Sequence, residues 1–378
     1  MNNRVGVIGG GQLARMMIPA AVNLGLELKV LAENAGSSAA LAASEVGDYL
    51  DLDTVLAFAE TVDVVTFDHE HVPQGILHAL VEAGHAVHPG PDALLYAQDK
   101  ILMREKLEQL GVPVPIWAAV SDAAELAAFI ADNGGSAVVK TPRGGYDGKG
   151  VRVVSHVDEV ADWFLALVED GNGGALLAEE RVDFTRELAQ LVARRPSGEL
   201  QLWRVVESIQ REGVCAEVIA PAPRSAGRVA DVAADIATTI AEGVGVTGVF
   251  AVELFETTDE RLLVNELAMR PHNTGHWTID GSTTSQFEQH LRAVLDLPLG
   301  ATGCRDTWSV MVNVLGGQAS GTLADRYTAA FADQPTVKFH NYGKAPRPGR
   351  KVGHVTAGGD DLDQVVFEAR AAAAFFQN

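Results

Sequence analysis

Two glutamates carry the sharpest chemical signal in this chain. Residues 248–255 and 262–267 read as a β-hairpin, and a turn centred on Asp259 and Glu260 sets Glu253 directly opposite Glu266. Glu253 keeps phase with Val249, Ala251 and Phe255, and Glu266 with Leu262 and Val264, so both acids project from otherwise apolar faces. Such carboxylates repel each other and lose hydration. A Mg2+ held by both, and by the phosphate oxygens of a substrate, offsets both costs, and Asn265 offers a neighbouring oxygen. The bland alternative is a solvated sheet face with two unrelated acids.

Other segments could serve a nucleotide. Lys140 ends an apolar run and is followed by Thr141-Pro142-Arg143-Gly144-Gly145-Tyr146-Asp147-Gly148-Lys149-Gly150. A plain hairpin does not need this many glycines. They suit a flap whose N–H groups close over phosphates, with Lys140, Arg143 and Lys149 adding positive charge, although a long surface turn is the alternative. Glu179, Glu180, Arg181 and Val182 leave an apolar strand as an extended segment whose backbone could read a base edge. Glu187 opens the next strand and could reach ribose hydroxyls, or be a plain strand-end acid. Residues 269–277, from Met269 through Arg270, His272 and Asn273 to Trp277, form a polar, aromatic loop beside the paired acids and have the composition of a substrate pocket. His272 and His276 have a zinc-like spacing, but no Cys or helical frame accompanies them, which favours hydrogen bonding. Residues 338–354 gather Lys344, Arg347, Arg350 and Lys351 without an acid, a density that suits one phosphate group or a solvated basic loop. Finally, Gly9-Gly10-Gly11-Gln12-Leu13-Ala14 joins a strand to a helix, with Glu33 further on. That spacing fits a dinucleotide such as NAD, and equally a tight turn packed against neighbouring backbone.

The elements that must position these residues change character along the chain. The first 90 residues alternate strands (4–8, 26–32, 62–67) with helices, the pattern of a parallel sheet with helical crossovers. Residues 92–110 read as one helix ended by Gly111, and Val112-Pro113-Val114-Pro115 is a stiff connector. From residue 136 onward, strands at 137–140, 151–154, 175–179, 187–192 and 201–206 suggest one antiparallel assembly with a helix at 157–167. Helices at 229–244 and 286–297 follow, the second opened by the capping-box spacing of Ser285 and Glu288, and the chain closes on a β-rich stretch and an Ala-rich helix.

With 378 residues, 47% of them hydrophobic, the chain can bury two or three cores. Its 29 Lys and Arg against 50 Asp and Glu give a net charge of −21, which disfavours nucleic acid and anionic membranes. Cys215 and Cys304 match no metal-ligand spacing, no apolar run approaches the roughly 18 residues needed to span a bilayer, and Met1 to Arg4 leads straight into a strand pattern, so a cytoplasmic protein is expected.

Taken together, Gly9-Gly10-Gly11-Gln12-Leu13, residues 144–150, Asn265-Glu266-Leu267-Ala268, residues 270–277 and Arg347-Pro348-Gly349-Arg350-Lys351-Val352-Gly353-His354 resemble the ATP-grasp enzymes, and within them the N5-carboxyaminoimidazole ribonucleotide synthetases of purine biosynthesis. The resemblance spans nearly the whole chain. It implies an α/β and α+β ATP-grasp fold: a Rossmann-like domain (1–112) that does not bind NAD, a lid (113–185), a catalytic lobe (186–300) and a small C-terminal domain (301–378) packing on that lobe. For ATP it implies contacts from Lys100, Lys140, Gly145, Tyr146, Asp147, Gly148, Lys149, Gly150, Val151, Glu179, Glu180, Arg181, Val182, Glu187, Gln210, Asn265 and Glu266, with Mg2+ or Mn2+ on Glu253 and Glu266. For aminoimidazole ribonucleotide it implies Gln12, Glu70, Tyr146, Lys149, Arg270, His272, Asn273, Lys344, Arg350 and Lys351, among which Tyr146, Arg270 and Lys351 would be catalytic. The implied reaction uses ATP to activate bicarbonate as carboxyphosphate, which carboxylates the substrate's exocyclic amine; a homodimer is implied as well. A formate-using glycinamide ribonucleotide transformylase is the near alternative, and an NAD oxidoreductase the distant one. Val151 stands where the family usually has Gln, Gln210 where His is frequent, and Asp68 where Glu is commoner.

Overall fold

The computed structural model describes residues 3–145, 150–169, 174–211, 213–316 and 323–377. Its first region is β1 (Arg4–Ile8), α1 (Gln12–Leu24), β2 (Glu27–Ala32), β3 (Ala43–Val46), α2 (Leu52–Ala59), β4 (Val64–Phe67), α3 (Gln74–Glu82), α4 (Pro91–Gln98) and α5 (Lys100–Gln109). The strands form a parallel sheet in the order β3-β2-β1-β4. Val5, Val7 and Ile8 of β1 are fully buried because helices cover both faces. The stretch expected to be one helix is two. Asp99 takes an extended conformation (φ −131°, ψ 110°), and its side chain accepts hydrogen bonds from the N–H groups of Ile101 and Leu102. This N-cap wins over continued helix, although helical residues run on both sides, and it places Lys100 at the first position of α5.

The second region is a four-stranded sheet, β5 (Trp117–Val120), β6 (Ala137–Lys140), β7 (Val151–Val154) and β8 (Leu176–Glu180), in the order β5-β8-β6-β7, with α6 (Ala123–Asp132) and α7 (Ala161–Glu169). Leu126, Phe129 and Ile130 of α6 close its core over Val139 and Ala178. The single antiparallel assembly expected from residue 137 onward is therefore divided, since the chain leaves this sheet after Glu180 and enters another at Phe184.

That larger sheet has nine strands: β9 (Phe184–Arg194), β10 (Leu200–Leu202), β11 (Val206–Arg211), β12 (Val214–Ala220), β13 (Gly248–Thr257), β14 (Leu262–Ala268), β15 (Trp308–Leu315), β16 (Lys338–Asn341) and β17 (Lys351–Gly359). Its order is β14-β13-β9-β11-β12-β15-β17-β16, with β10 beside β9. The C-terminal strands thus continue the sheet that carries the acidic hairpin. Five helices accompany it, α8 (Arg228–Val244), α9 (Thr278–Gly281), α10 (Gln286–Val294), α11 (Tyr327–Asp333) and α12 (Leu362–Gln377). Helix α10 stops short of the expected residue 297 because Asp296 adopts φ 55°. Phe287 and Leu291 of α10 pack with Leu13 and Met17 of α1, so the first region and the large sheet share packing.

Candidate active site

The hairpin brings Glu253 and Glu266 into direct register, as the spacing predicts. The pairing is not uniform, however. Nearer the turn, Leu254 faces Val264 and Phe255 faces Leu263, so Asn265 is an extra residue at a bulge. Strict alternation would point Asn265 and Glu266 to opposite faces, yet both line one cleft of about 1850 Å³. Glu187 is on the same face, since Glu253 pairs with Ala189 and Glu187 lies two residues along β9. Burial, then the nearby Glu266 and Glu187, push the Glu253 carboxyl up to about 8. Burial also raises Glu187. Among the described residues no group of three or more His, Cys, Asp or Glu is arranged to hold a metal ion, so a cation here would draw ligands from beyond the protein's acids.

Cations face these acids from two other elements. Lys100, at the start of α5, has its Nζ 3.5 Å from Glu266 Oε1. Lys140, at the end of β6, donates to Asn265 Oδ1 at 3.2 Å and lies 2.7 Å from Glu179 Oε2. Arg104, which the sequence reading missed, is fully buried and donates through Nε to Glu179 Oε1 at 2.5 Å and through Nη2 to the Asn265 carbonyl at 2.7 Å. Burial alone would raise the Glu179 carboxyl, but Arg104 and Lys140 outweigh it and hold the group below its ordinary range. The signal that could have found Arg104 is its place one turn beyond Lys100 on the same helix face.

Gly145, Val151, Glu180, Arg181, Val182 and Gln210 line the same cleft, and Phe184 stacks on Phe255 at its wall with ring centroids 4.6 Å apart. Gly150 does not line it. Its carbonyl accepts from Thr141 N–H at 2.9 Å, and its φ of +73°, with Thr141 Oγ1 2.5 Å from where a Cβ would sit, requires glycine. Tyr146, Asp147, Gly148 and Lys149 lie outside the described residues.

The cleft continues towards the first region. Glu70 accepts from Met269 N–H at 2.6 Å and from Arg270 Nε at 3.2 Å, which fixes the guanidinium. His272 Nε2 is 3.1 Å from Glu253 Oε1, while its Nδ1 meets the Thr274 hydroxyl at 2.8 Å. Burial, Arg270 and Lys351 keep this imidazole neutral, well below its usual range. Gln286 holds the loop from beneath, accepting from His272 N–H and donating to the His272 carbonyl, both at 2.8 Å, and meeting His276 Nδ1. Asn273 is locked to Asn313, whose amide also donates to the Cys215 carbonyl. The zinc-like pair is thus tied into protein hydrogen bonds. Gln12 bonds Lys344, and Arg350 and Lys351 line the same end.

The glycine loop before α1 is filled by the protein itself. A Cβ on Gly11 would stand 1.9 Å from Asp68 Oδ2, and one on Gly10 would stand 2.6 Å from Ser37 Cβ. Asp68 Oδ1 accepts from Ala14 N–H at 2.7 Å, so a carboxylate occupies the helix N-terminus where a dinucleotide pyrophosphate would bind. Glu33, the acid a dinucleotide ribose would need, sits 3.4 Å from both Gly10 N and His69 Nε2. The NAD reading fails on this packing.

Comparison with known proteins agrees with the geometry. Residues 1–98 match the ribonucleotide synthetase preATP-grasp domain, 105–287 the ATP-grasp domain, and 309–367 the phosphoribosylaminoimidazole carboxylase C-terminal domain. The N5-carboxyaminoimidazole ribonucleotide synthase of Mycobacterium tuberculosis is 50% identical over 373 residues, covering 98% of this chain and 86% of that protein. The chain belongs to the N5-carboxyaminoimidazole ribonucleotide synthetase family. Its relative from Corynebacterium ammoniagenes is 48% identical, covering 99% of this chain and 92% of that one. The synthase of Aspergillus clavatus, solved with ADP and 5-aminoimidazole ribonucleotide, superimposes with a TM-score of 0.88 at 30% identity, covering 99% of this chain and 98% of that chain. As an ATP-grasp ligase of this family, the chain is a carbon–nitrogen bond-forming enzyme that uses ATP. No helix among the described residues is long and apolar enough to cross a membrane.

Proposed function

We propose that this cleft carboxylates 5-aminoimidazole ribonucleotide with bicarbonate and ATP, giving N5-carboxyaminoimidazole ribonucleotide for purine biosynthesis. The observation that carries the reading is the in-register Glu253–Glu266 pair facing Lys100 and Lys140 across one cleft. Glu253 and Glu266 would hold Mg2+ or Mn2+; the two in-register carboxylates, one of them pushed up by burial and then by its acidic neighbours, form a donor set that suits a hard cation completed by phosphate oxygens. Bound there, the ion would neutralise charge on the triphosphate. Lys100 and Lys140 would orient the γ-phosphoryl group towards bicarbonate, ADP leaving as carboxyphosphate forms; carboxyphosphate would then deliver its carboxyl group, or CO2, to the exocyclic amine, with inorganic phosphate as the leaving group and the amine giving up a proton. Glu180, Arg181 and Val182 would read adenine, with Glu187 and Gln210 at the ribose. The flap from Gly145 to Val151, including Tyr146 and Lys149, would cover the phosphates and exclude water from carboxyphosphate.

For the ribonucleotide, Glu70 would hold Arg270 against the acceptor, with His272 and Asn273 shaping the pocket. Lys344, Arg350, Lys351 and Gln12 would receive its phosphate, a group that must find local positive charge in a chain of net charge −21. No protein nucleophile is needed, and electrostatics and positioning carry the reaction. A phosphate-release assay omitting each component tests the reading. Release that requires ATP, Mg2+, bicarbonate and aminoimidazole ribonucleotide is expected; release with formate and glycinamide ribonucleotide instead would replace it with the transformylase reading. The family resemblance also implies a homodimer, which sedimentation equilibrium would test.

A further inference from the structure

One buried side chain outside the cleft touches both halves of the phosphate machinery. Lys100 and Arg104 are one turn apart on α5 and project to the same face, where both meet β14. Lys100 reaches the Glu266 carboxylate in the cleft, whereas Arg104 stays behind the cleft wall and is fully buried. Its guanidinium forks. Nε donates to Glu179 Oε1 at 2.5 Å, and Nη2 donates to the carbonyl of Asn265 at 2.7 Å. Asn265 is the extra residue of the bulge, so its carbonyl lies where the ladder with β13 is interrupted, and Arg104 supplies the missing donor. Glu179 is shared in turn: its other oxygen lies 2.7 Å from Lys140 Nζ, and Lys140 also donates to Asn265 Oδ1 at 3.2 Å.

We infer that Arg104 is a positioning residue for nucleotide binding, one that shares the charge of Glu179 so that Lys140 can turn to the phosphates, and that pins the bulge that turns Asn265 and Glu266 together into the cleft. The inference rests on the assignment of this cleft to ATP. With Arg104 present, the Glu179 carboxylate is shared between two cations, Arg104 on one oxygen and Lys140, 2.7 Å away, on the other, so the acid keeps a partner when Lys140 turns to a phosphate. With Arg104 replaced by a neutral side chain, Lys140 becomes the sole counter-ion of a buried acid, and giving up its 2.7 Å contact with Glu179 for a phosphate becomes costly. The Asn265 carbonyl is orphaned at the same time, which frees the bulge to slip back to regular alternation and turn a cleft residue away.

The test is isothermal titration of the full-length Arg104→Met and Arg104→Lys proteins with ATP, with and without Mg2+, in the absence of bicarbonate and ribonucleotide. These titrations do not depend on the acceptor, so they can succeed even if the carboxylation reading fails, and an untitratable parent protein would sink that reading instead. For Arg104→Met the dissociation constant for Mg·ATP is expected to rise about tenfold or more, while in a separate turnover assay at saturating ATP the KM for aminoimidazole ribonucleotide stays within about twofold of the parent. Arg104→Lys keeps a charge beside Glu179 but gives up the fork. It is expected to restore metal-free ATP binding while leaving Mg·ATP several-fold weaker. A folded Arg104→Met protein that binds Mg·ATP within twofold of the parent would overturn the inference. Should that variant not fold, parent-like Mg·ATP binding by Arg104→Lys would overturn it equally.

Discussion

Two strand ends in this molecule, one glycine-flanked and one acid-bearing, each match a nucleotide-binding pattern, and the packing is consistent with that pattern only at the second. At the start of α1 the glycine loop resembles a dinucleotide site, but Asp68 caps the helix, Ser37 packs on Gly10, and Glu33 is engaged by His69 and Gly10. The groups that would have recognised a dinucleotide there have internal partners. In the hairpin the reverse holds. Glu253 and Glu266 are opposed in register with Glu187 on the same face; among the described residues Lys100 and a neutral imidazole sit against them, and the charges of Lys351 and Arg270 offset only part of what burial and the neighbouring acids do to Glu253. The comparison teaches that a motif marks a site when its charge is left incomplete by the fold, not when its spacing matches a pattern.

The comparison breaks most sharply at the hairpin. Glu266→Gln or Glu253→Gln should lower kcat by about 10²-fold or more, by analogy with loss of a preorganised electrostatic group, with the fold intact by circular dichroism. Lys140→Met is expected to follow with a loss of about tenfold to a hundredfold in kcat/KM for ATP and a smaller change for the ribonucleotide. At the other region the effects should fall on stability. Gly11→Ala places a methyl group against Asp68 and should cost about 1–3 kcal/mol, seen as a lower Tm, without creating or abolishing NADH binding in a fluorescence titration. Asp68→Asn should cost less, about 0.3–1 kcal/mol, through the helix terminus.

A pH series sharpens the contrast. The folded-state value for Glu253, about 8, lies above the ordinary carboxylate value of 4.5, so the folded protein binds the extra proton between these limits. The metal-free protein should therefore lose stability as pH rises through that window, and Glu253→Gln should flatten the trend while raising Tm near pH 8. Added Mg2+ with nucleotide should oppose the loss, because the cation takes the proton's place.

The fold was legible where local chemistry repeats a period. The parallel strands of the first region, the long helix α8 and the Glu253–Glu266 register follow from alternation and turn residues. What escaped were single-residue events. The bulge at Asn265 inserts one residue without altering composition, and the helix break at Asp99 depends on a cap competing with flanking residues that are themselves helical. Asp68 capping α1 from 54 residues away, and Arg104 joining α5 to β8 and β14, are tertiary facts that no window along the chain contains. The residues expected to contact ATP and ribonucleotide were chosen through motifs, and of those described all but Gly150 line one cleft.

The most direct test is anomalous scattering from crystals of this protein grown with Mn2+ and a non-hydrolysable ATP analogue. The account predicts a manganese peak within ligand distance of carboxylate oxygens from both Glu253 and Glu266, with the analogue's phosphates completing its shell. A peak elsewhere, with these two side chains turned apart or neutralised by lysine alone, would contradict it.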